Sequence, residues 1–156
     1  MSSDKNIETL KQMPIFGGLT SQTIHLILEK SQLVTKQAGD DFFYENDLAD
    51  SMYVLTSGKV QVSRRRNNHV YPVSELHGTD CFGEMAMIDY RTRSADVRAM
   101  SDCEAIEISL DVISAIWEHD VREFAMLQMN LAREVSRRLR EANDLLLAAR
   151  MAEGGN

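Results

Sequence analysis

A series of short apolar runs, separated by turn-forming pairs of residues, most limits how this chain of 156 residues can fold. Between residues 33 and 110, runs rich in β-branched and aromatic residues alternate with pairs such as Gly-Asp, Ser-Gly and Asn-Asn. Runs of this composition are typical of β-strands, and Gly, Asn and Asp adopt the backbone conformations of tight turns. Short, evenly spaced strands predict an antiparallel barrel or jelly roll. Pro72 lacks an amide hydrogen, so its strand is expected at an edge or a bulge.

Helical patterns flank this segment on both sides. Before it, helices are predicted over residues 4–12 and 21–30, the second capped by Thr20. After it, Ser109 is expected to cap a helix over residues 110–119 and Asp120 a longer one that ends near residue 150. In the first of these two helices Val112, Ile113, Ile116 and Trp117 are predicted to face inward.

These patterns together predict the fold class α+β, an antiparallel β jelly-roll barrel flanked by N-terminal helices and a long C-terminal helix. A chain of this length is expected to form a single domain with a substantial core. We divide it into N-terminal helices within residues 1–32, a β-roll over residues 33–109, and C-terminal helices over residues 110–150.

The second half of the long helix carries apolar residues at alternating intervals of four and three: Val135, Leu139, Ala142, Leu146 and Ala149. This spacing is typical of a coiled-coil seam. Since the first half of the helix is enough to cover the barrel, we predict that the seam is a homodimer contact. Docking of the seam on the chain's own barrel is the alternative.

The composition excludes several classes of protein. The formal charge is −7, whereas nucleic-acid binding requires a basic surface, so no DNA contact is expected. Arg64, Arg65 and Arg66 form a short basic run, which we interpret as a solvated hairpin tip. No apolar run approaches the roughly 20 residues of a membrane span, and the first residues lack the apolar segment of a signal peptide. Two cysteines make no disulfide framework, so a cytoplasmic protein with no membrane contact is predicted.

The stretch from residue 81 to residue 100 has a layout suited to an anion. Gly83 and Glu84 precede a short apolar run, and Arg91, Arg93 and Ser94 precede an alternating segment. Amide groups freed at a helix start favour negative charge, and an arginine can donate two parallel hydrogen bonds to a phosphate. A carboxylate only accepts hydrogen bonds, so Glu84 suits a sugar hydroxyl. The pair indicates a ribose that carries a phosphate, although Glu84 could instead only cap the helix, and Arg91 is the competing cation.

The run FGEMAMIDYRTRSADV, within residues 82–97, resembles the phosphate-binding cassette of the cyclic nucleotide-binding domain family. The likeness extends over most of the chain, and residues 36–62 resemble the family's earlier strands, with Gly39 and Gly58 at turn positions. The resemblance implies that Glu84 accepts the ribose 2′-hydroxyl and that Arg93 neutralises the cyclic phosphate. Only Arg93 directly precedes Ser-Ala, as the family pattern requires.

The resemblance also implies the ligand and the remaining contacts. Ser94 stands where members that prefer cyclic GMP often have threonine, which favours cyclic AMP and leaves cyclic GMP as the alternative. Aligning residues 137–139 with the dimer helix of bacterial members brings Asn143 to a position that reads adenine from the other subunit; an exposed helix asparagine is the alternative. The predicted binding residues are Gly83, Glu84, Met85, Arg93, Ser94, Ala95 and Asn143, with no metal and no cofactor besides the ligand.

The expected function is therefore that of a cyclic-nucleotide sensor whose C-terminal helices change conformation on binding. Catalysis is not expected, because the four histidines are scattered singly and no nucleophile has a neighbouring histidine base. A haem or redox sensor that uses His77 and Cys81 is a rival hypothesis. Another is the sensor part of a transcription regulator without its helix-turn-helix. The sequence ends at Asn156, so the chain is either a stand-alone sensor module or a piece cut from a larger protein. Because the terminal MAEGGN resembles a frayed tail and not a linker, we expect a stand-alone module, with a protein partner that the sequence does not identify.

Overall fold

The computed structural model describes the backbone of residues 2–155 and the side chains of residues 7–155. Helices stand at both ends of the chain, and eight strands with one short helix lie between them. In chain order the elements are α1 (Ser2–Lys11), a 3-10 turn (Pro14–Phe16), α2 (Ser21–Lys30), β1 (Gln32–Lys36), β2 (Asp41–Phe43), β3 (Ser51–Ser57), β4 (Lys59–Arg66), β5 (His69–His77), β6 (Cys81–Phe82), α3 (Glu84–Asp89), β7 (Asp96–Ala99), β8 (Cys103–Ser109), α4 (Leu110–His119) and α5 (Val121–Glu153).

The strands form two four-stranded sheets, ordered β1-β8-β3-β6 and β2-β7-β4-β5, and every pair of neighbours is antiparallel. This arrangement confirms the predicted jelly roll with flanking helices. Residues 51–55 of β3 are buried on both faces. Because successive side chains point to opposite faces, Met52 and Val54 pack in the core shared with the helices, whereas Tyr53 and Leu55 pack in the core between the sheets.

Strand β5 pairs only with β4 and forms an edge of its sheet. The register shifts at Ser63, because Val62 pairs with Ser74 while Ser63 pairs with Pro72, so Val73 is left as the extra residue of a bulge. The prediction of an edge or a bulge at Pro72 is confirmed, since proline has no amide hydrogen to donate to a ladder. The bulge changes the direction in which Val73 points.

The predicted helix caps are present. Thr20 Oγ1 accepts a hydrogen bond from the Thr23 amide at 3.3 Å, Ser109 Oγ from Val112 at 3.4 Å, and Asp120 Oδ1 from Arg122 at 2.8 Å. Each cap satisfies an amide that a helix start leaves without an intrahelical partner.

Trp117 differs from its prediction, because its side chain is 52% exposed instead of facing inward. Helix α4 buries Val112 and Ile116, and the next residue is rotated by about 100° away from that stripe. Trp117 contacts Phe124 of α5 edge to face, with the ring centroids 5.0 Å apart. The indole therefore covers the junction of the two helices from the outside.

Helix α5 is attached to the N-terminal segment by a buried amide. Asn130 Nδ2 donates to the carbonyl oxygens of Ile15 at 3.0 Å and of Gly17 at 2.8 Å. Near the start of α5, Glu123 accepts a hydrogen bond from the Thr20 amide at 2.9 Å. The first half of α5 is thus fixed against the 3-10 turn, whereas all of residues 139–155 are exposed.

The predicted coiled-coil seam lies mostly in this exposed part of α5. Leu139 is 60% exposed and Leu146 is 54% exposed, so the seam does not dock on the chain's own barrel.

None of the helices in the described residues combines the length and the apolar character that a bilayer crossing requires.

We predict that Gly58→Ala costs about 3 kcal/mol or more of unfolding free energy, measured by urea denaturation. Gly58 has a φ of +90°, and a Cβ there would meet the carbonyl oxygen of Asp102 and come within 2.7 Å of Cys103 Sγ. Gly39→Ala is the matched control, because its φ is +94° with no atom within 4 Å of the added Cβ. That variant should lose only about 1 kcal/mol. Equal losses for the two variants would contradict the steric argument.

Candidate functional site

A cavity of about 310 Å³ lies between the cassette, the strands β4, β5 and β7, and helix α5. Its volume is at the small end of the roughly 300–1,000 Å³ of ligand pockets, which suits one small molecule. Of the seven predicted binding residues, six line it: Gly83, Glu84, Met85, Arg93, Ser94 and Ala95. The segment from Gly83 to Ala95 therefore forms one wall of a concave site.

Gly83 begins this wall and is required there for two reasons. It caps α3 with a φ of 77° and a ψ of 5°, a left-handed conformation that glycine adopts without strain. A Cβ at this position would also come within 2.6 Å of Arg93 Nη1. The absence of a side chain at residue 83 thus allows the guanidinium to pack against the start of the helix.

Arg93 is buried, with 5% of its surface exposed, and has no carboxylate at ion-pair distance among the residues that the structure describes. Its hydrogen bonds are long: Nη1 donates to the Gly83 carbonyl at 3.3 Å and Nη2 to Ser51 Oγ at 3.4 Å. The guanidinium lies 4.1 Å from the centroid of the Phe43 ring. Burial lowers the pKa of Arg93. A buried cation with partners this weak is chemically suited to an incoming anion.

Glu107 orients Ser51, which is a hydrogen-bond partner of Arg93. Ser51 donates its hydroxyl hydrogen to Glu107 Oε1 at 2.7 Å, and the Tyr53 hydroxyl donates to the same oxygen at 3.0 Å. Because the Ser51 hydrogen is held by Glu107, the lone pairs of Ser51 Oγ remain available to Arg93. These residues could not be identified from the sequence, since nothing in the local pattern of β3 or β8 marks them.

Glu84 lies on the same wall and is 4% exposed. Burial raises the pKa of Glu84, and the charge of Arg138 opposes this shift. Arg138 Nη1 donates to Glu84 Oε1 at 2.9 Å, and its Nη2 donates to the Cys81 carbonyl. Arg138 belongs to α5, so this ion pair joins the cassette to the C-terminal helix. This pair could not be identified from the sequence, because its two residues lie 54 positions apart in the chain.

The opposite wall is formed by the hairpin of β4 and β5. It contributes apolar side chains from Val62, Val73 and Leu76, and polar ones from Arg64 and Ser74. The bulge in β5 places Val73 on this wall. The interpretation of the basic run as a solvated tip is therefore incomplete for Arg64, which is half-exposed and also lines the cavity.

The other candidates lie elsewhere. Arg91 is exposed outside the cavity, with its amide hydrogen-bonded to Asp89. Asn143 is exposed on α5 and is absent from the cavity of its own chain; its predicted contact from a second subunit stays a prediction. His77 is exposed, whereas Cys81 is buried in the helix-side core. Burial, followed by the charge of Glu84, raises the pKa of the Cys81 thiol to about 12, which disfavours the thiolate that haem ligation needs.

Comparisons with known proteins identify the family of this chain. The family profile described as "Cyclic nucleotide-binding domain" matches residues 33–120. The cyclic AMP receptor protein of Thermus thermophilus is 32% identical over 135 residues, which cover 86% of this chain and 61% of that protein. The chain thus spans 61% of the length of this relative.

Two solved structures have folds similar to that of this chain. The catabolite activator protein of Thermus thermophilus superposes with a TM-score of 0.74 at 31% identity, covering 87% of this chain and 63% of that one. A cyclic nucleotide-binding domain from Methylobacillus flagellatus superposes with a TM-score of 0.85 at 20% identity, covering 94% and 85%. At 20% sequence identity, the second superposition shows similarity of the fold alone. With a family profile that matches more than half of its residues, the chain belongs to the cyclic nucleotide-binding domain family.

Proposed function

We propose that this domain binds a 3′,5′-cyclic nucleotide in the cavity beside α3, and that binding serves regulation and not catalysis. The observation that carries the proposal is Arg93, a buried cation without a carboxylate partner among the described residues, on the same wall as the buried carboxylate of Glu84. A cyclic phosphate has one negative charge and its ribose has a free 2′-hydroxyl. The two side chains complement these two groups.

Arg93 is the proposed phosphate contact. Its Nε has no hydrogen-bond partner among the described residues, and the contacts of Nη1 and Nη2 are long, so a phosphate would gain charge-assisted hydrogen bonds. The Ser94 hydroxyl and the amides of Gly83, Glu84 and Ala95 are the further donors that we propose. Each charge-assisted bond contributes about 1.5–3 kcal/mol. Two or three of them, together with packing of the base, supply the roughly 8 kcal/mol of micromolar binding.

Glu84 is the proposed ribose contact. An ionised carboxylate accepts the 2′-hydroxyl more strongly than a neutral acid does. Burial disfavours the ionised form, and Arg138 at 2.9 Å favours it. In this proposal Arg138 both keeps Glu84 charged and fixes its direction.

We propose cyclic AMP as the ligand, on the basis of Ser94 and of a relative named for cyclic AMP. Cyclic GMP remains the alternative.

The exposed seam of α5 supports a homodimer, and a second subunit would place Asn143 where the family resemblance expects a base contact. A downstream protein partner in the cytoplasm would then read the state of the C-terminal helices. Because the chain spans 61% of its receptor relative, a role as the sensor part of a transcription regulator is a second proposal.

The proposed switch uses the contact between Glu84 and Arg138. A ligand on Glu84 changes the environment of an α5 side chain, and α5 carries the exposed seam. A ligand shifts a conformational equilibrium only by its different affinities for the two states. Such a difference would reach α5 through Arg138, which contacts both Glu84 and the Cys81 carbonyl.

Arg93→Ala should weaken cyclic AMP binding by about 100-fold or more, because it removes at least two charge-assisted hydrogen bonds. Isothermal titration calorimetry measures the loss. Arg91→Ala is the matched control, since it deletes the same charge two residues away at an exposed position. The control should stay within about twofold of the parent, as expected for an exposed charge outside the site. Equal effects of the two substitutions would refute the proposed phosphate contact.

Glu84→Gln should reduce the discrimination between cyclic AMP and 2′-deoxy cyclic AMP. We expect the parent to prefer the ribose form by about tenfold or more, since a hydrogen bond to a charged group contributes about 1.5–3 kcal/mol. The variant should retain only about a threefold preference, because its acceptor is neutral. Calorimetry with both nucleotides gives the ratio. A ratio that is the same in parent and variant would place the 2′-hydroxyl elsewhere.

Saturating cyclic AMP should change amide hydrogen exchange in α5 on both sides of Arg138, because the ion pair of that residue with Glu84 is rearranged. Mass spectrometry of peptides from residues 121–153 measures the change. The Arg93→Ala protein, at the same nucleotide concentration, provides the control and should show no difference. If α5 exchanged identically with and without bound nucleotide, the domain would bind its ligand without switching.

A further inference from the structure

Arg64 interrupts an apolar stripe on the inner face of β4. Alternate residues of a strand share a face, so Val60, Val62 and Arg64 point to the same side of the sheet. Val60 is fully buried, Val62 packs against the core between the sheets, and the next position on this side is an arginine that lines the cavity. The Arg64 side chain is 49% exposed, so the guanidinium stands at the rim of the cavity, where a bound molecule can reach it.

In the proposed binding mode, Arg64 lies at the part of the cavity that would receive the base. The cassette wall carries the proposed phosphate and ribose contacts, Arg93 and Glu84, so the base faces the hairpin of β4 and β5. This assignment rests on the proposed function. On the hairpin wall, Val62 and Val73 offer apolar surface for the plane of a purine, and Arg64 offers hydrogen-bond donors for its edge.

A carboxylate holds Arg64 in place without occupying the whole guanidinium. Arg64 Nη2 donates to Glu45 Oε1 at 3.1 Å, and the Arg64 side chain is 49% exposed. Glu45 also accepts from Arg66 Nη1 at 3.1 Å, and the pKa of Glu45 is lowered chiefly by its hydrogen bond from Arg64. A guanidinium has five N–H donors in a planar fork, so an ion pair through Nη2 leaves other donors for a ligand.

We propose that Arg64 is a specificity-determining residue that reads the edge of the purine formed by N7 and the 6-position, and so makes guanine an acceptable base. An arginine only donates hydrogen bonds. Guanine presents two acceptors on that edge, N7 and O6, whereas adenine presents N7 and an amino group that is itself a donor. Arg64 therefore favours cyclic GMP at the base, while Ser94 favours cyclic AMP at the phosphate. The two residues together give a domain that accepts both nucleotides.

The test is calorimetry of the parent and of Arg64→Met with cyclic AMP, cyclic GMP and cyclic IMP. Hypoxanthine has the N7 and O6 of guanine without its 2-amino group, so cyclic IMP isolates the proposed edge. We expect the variant to lose about tenfold in affinity for cyclic GMP and cyclic IMP, the range of a bidentate arginine contact to a base. Its affinity for cyclic AMP should change by less than about twofold, because adenine offers Arg64 no second acceptor.

Two further variants distinguish a contact between Arg64 and the base from a general effect of its positive charge. Arg66→Met removes the same charge and a contact to the same Glu45, from a side chain outside the cavity, and should leave the ratio of the nucleotide affinities unchanged. Arg64→Lys keeps the charge without the planar fork, and should lose cyclic GMP affinity while it retains cyclic AMP affinity. Equal losses for all three nucleotides in Arg64→Met would show general attraction of an anion and would overturn the inference.

The failure of this inference is distinguishable from the failure of the proposed function. If the parent binds cyclic AMP and loses it in Arg93→Ala, but Arg64→Met leaves the affinity ratios unaltered, then only the role of Arg64 is wrong. If the folded parent binds none of the three nucleotides, the proposed function is wrong and the base contact with it.

Discussion

The burial of the Arg93 guanidinium is the constraint on which the rest of this site depends. Removing a charge from water is costly unless polar groups or an aromatic face replace the lost hydration. Here Gly83 makes room for it, the Phe43 ring covers it, and Ser51, held by Glu107, accepts one of its hydrogen bonds. These residues come from separate strands and from the start of α3. The burial of Arg93 therefore requires these elements to meet at one wall of the cavity.

A second charged contact connects this wall to the C-terminal helix. Arg138 pairs with Glu84, and Asn130, two turns earlier on α5, is hydrogen-bonded to the N-terminal 3-10 turn. Residues 139–155 are exposed. The attachments of α5 to the N-terminal segment, through Asn130 and through Glu123, do not involve the cavity, whereas the ion pair of Arg138 does. The proposed switch therefore rests on a ligand that would change the ionic attachment and leave the others in place.

Much of the fold could be predicted because its signals are local. The caps at Thr20, Ser109 and Asp120 and the edge strand at Pro72 each depend on residues that are close in sequence. Trp117 was predicted wrongly because it directly follows Ile116 and so lies about 100° around the helix from the buried stripe. Arg64 was interpreted only as a solvated residue, although its alternation with Val60 and Val62 already places it on the inner face of β4.

The cassette wall could be predicted from the sequence, since Gly83, Glu84 and Arg93 lie within one short segment whose glycine, helix start and returning strand specify their own geometry. The rest of the cavity arises only from contacts between residues that are distant in the chain. The pairing of Glu84 with Arg138 spans 54 residues, and the position of Arg64 opposite the cassette follows from the packing of two sheets. Such contacts depend on strand register and on helix docking, which are set by the summed burial of many side chains and not by any local pattern.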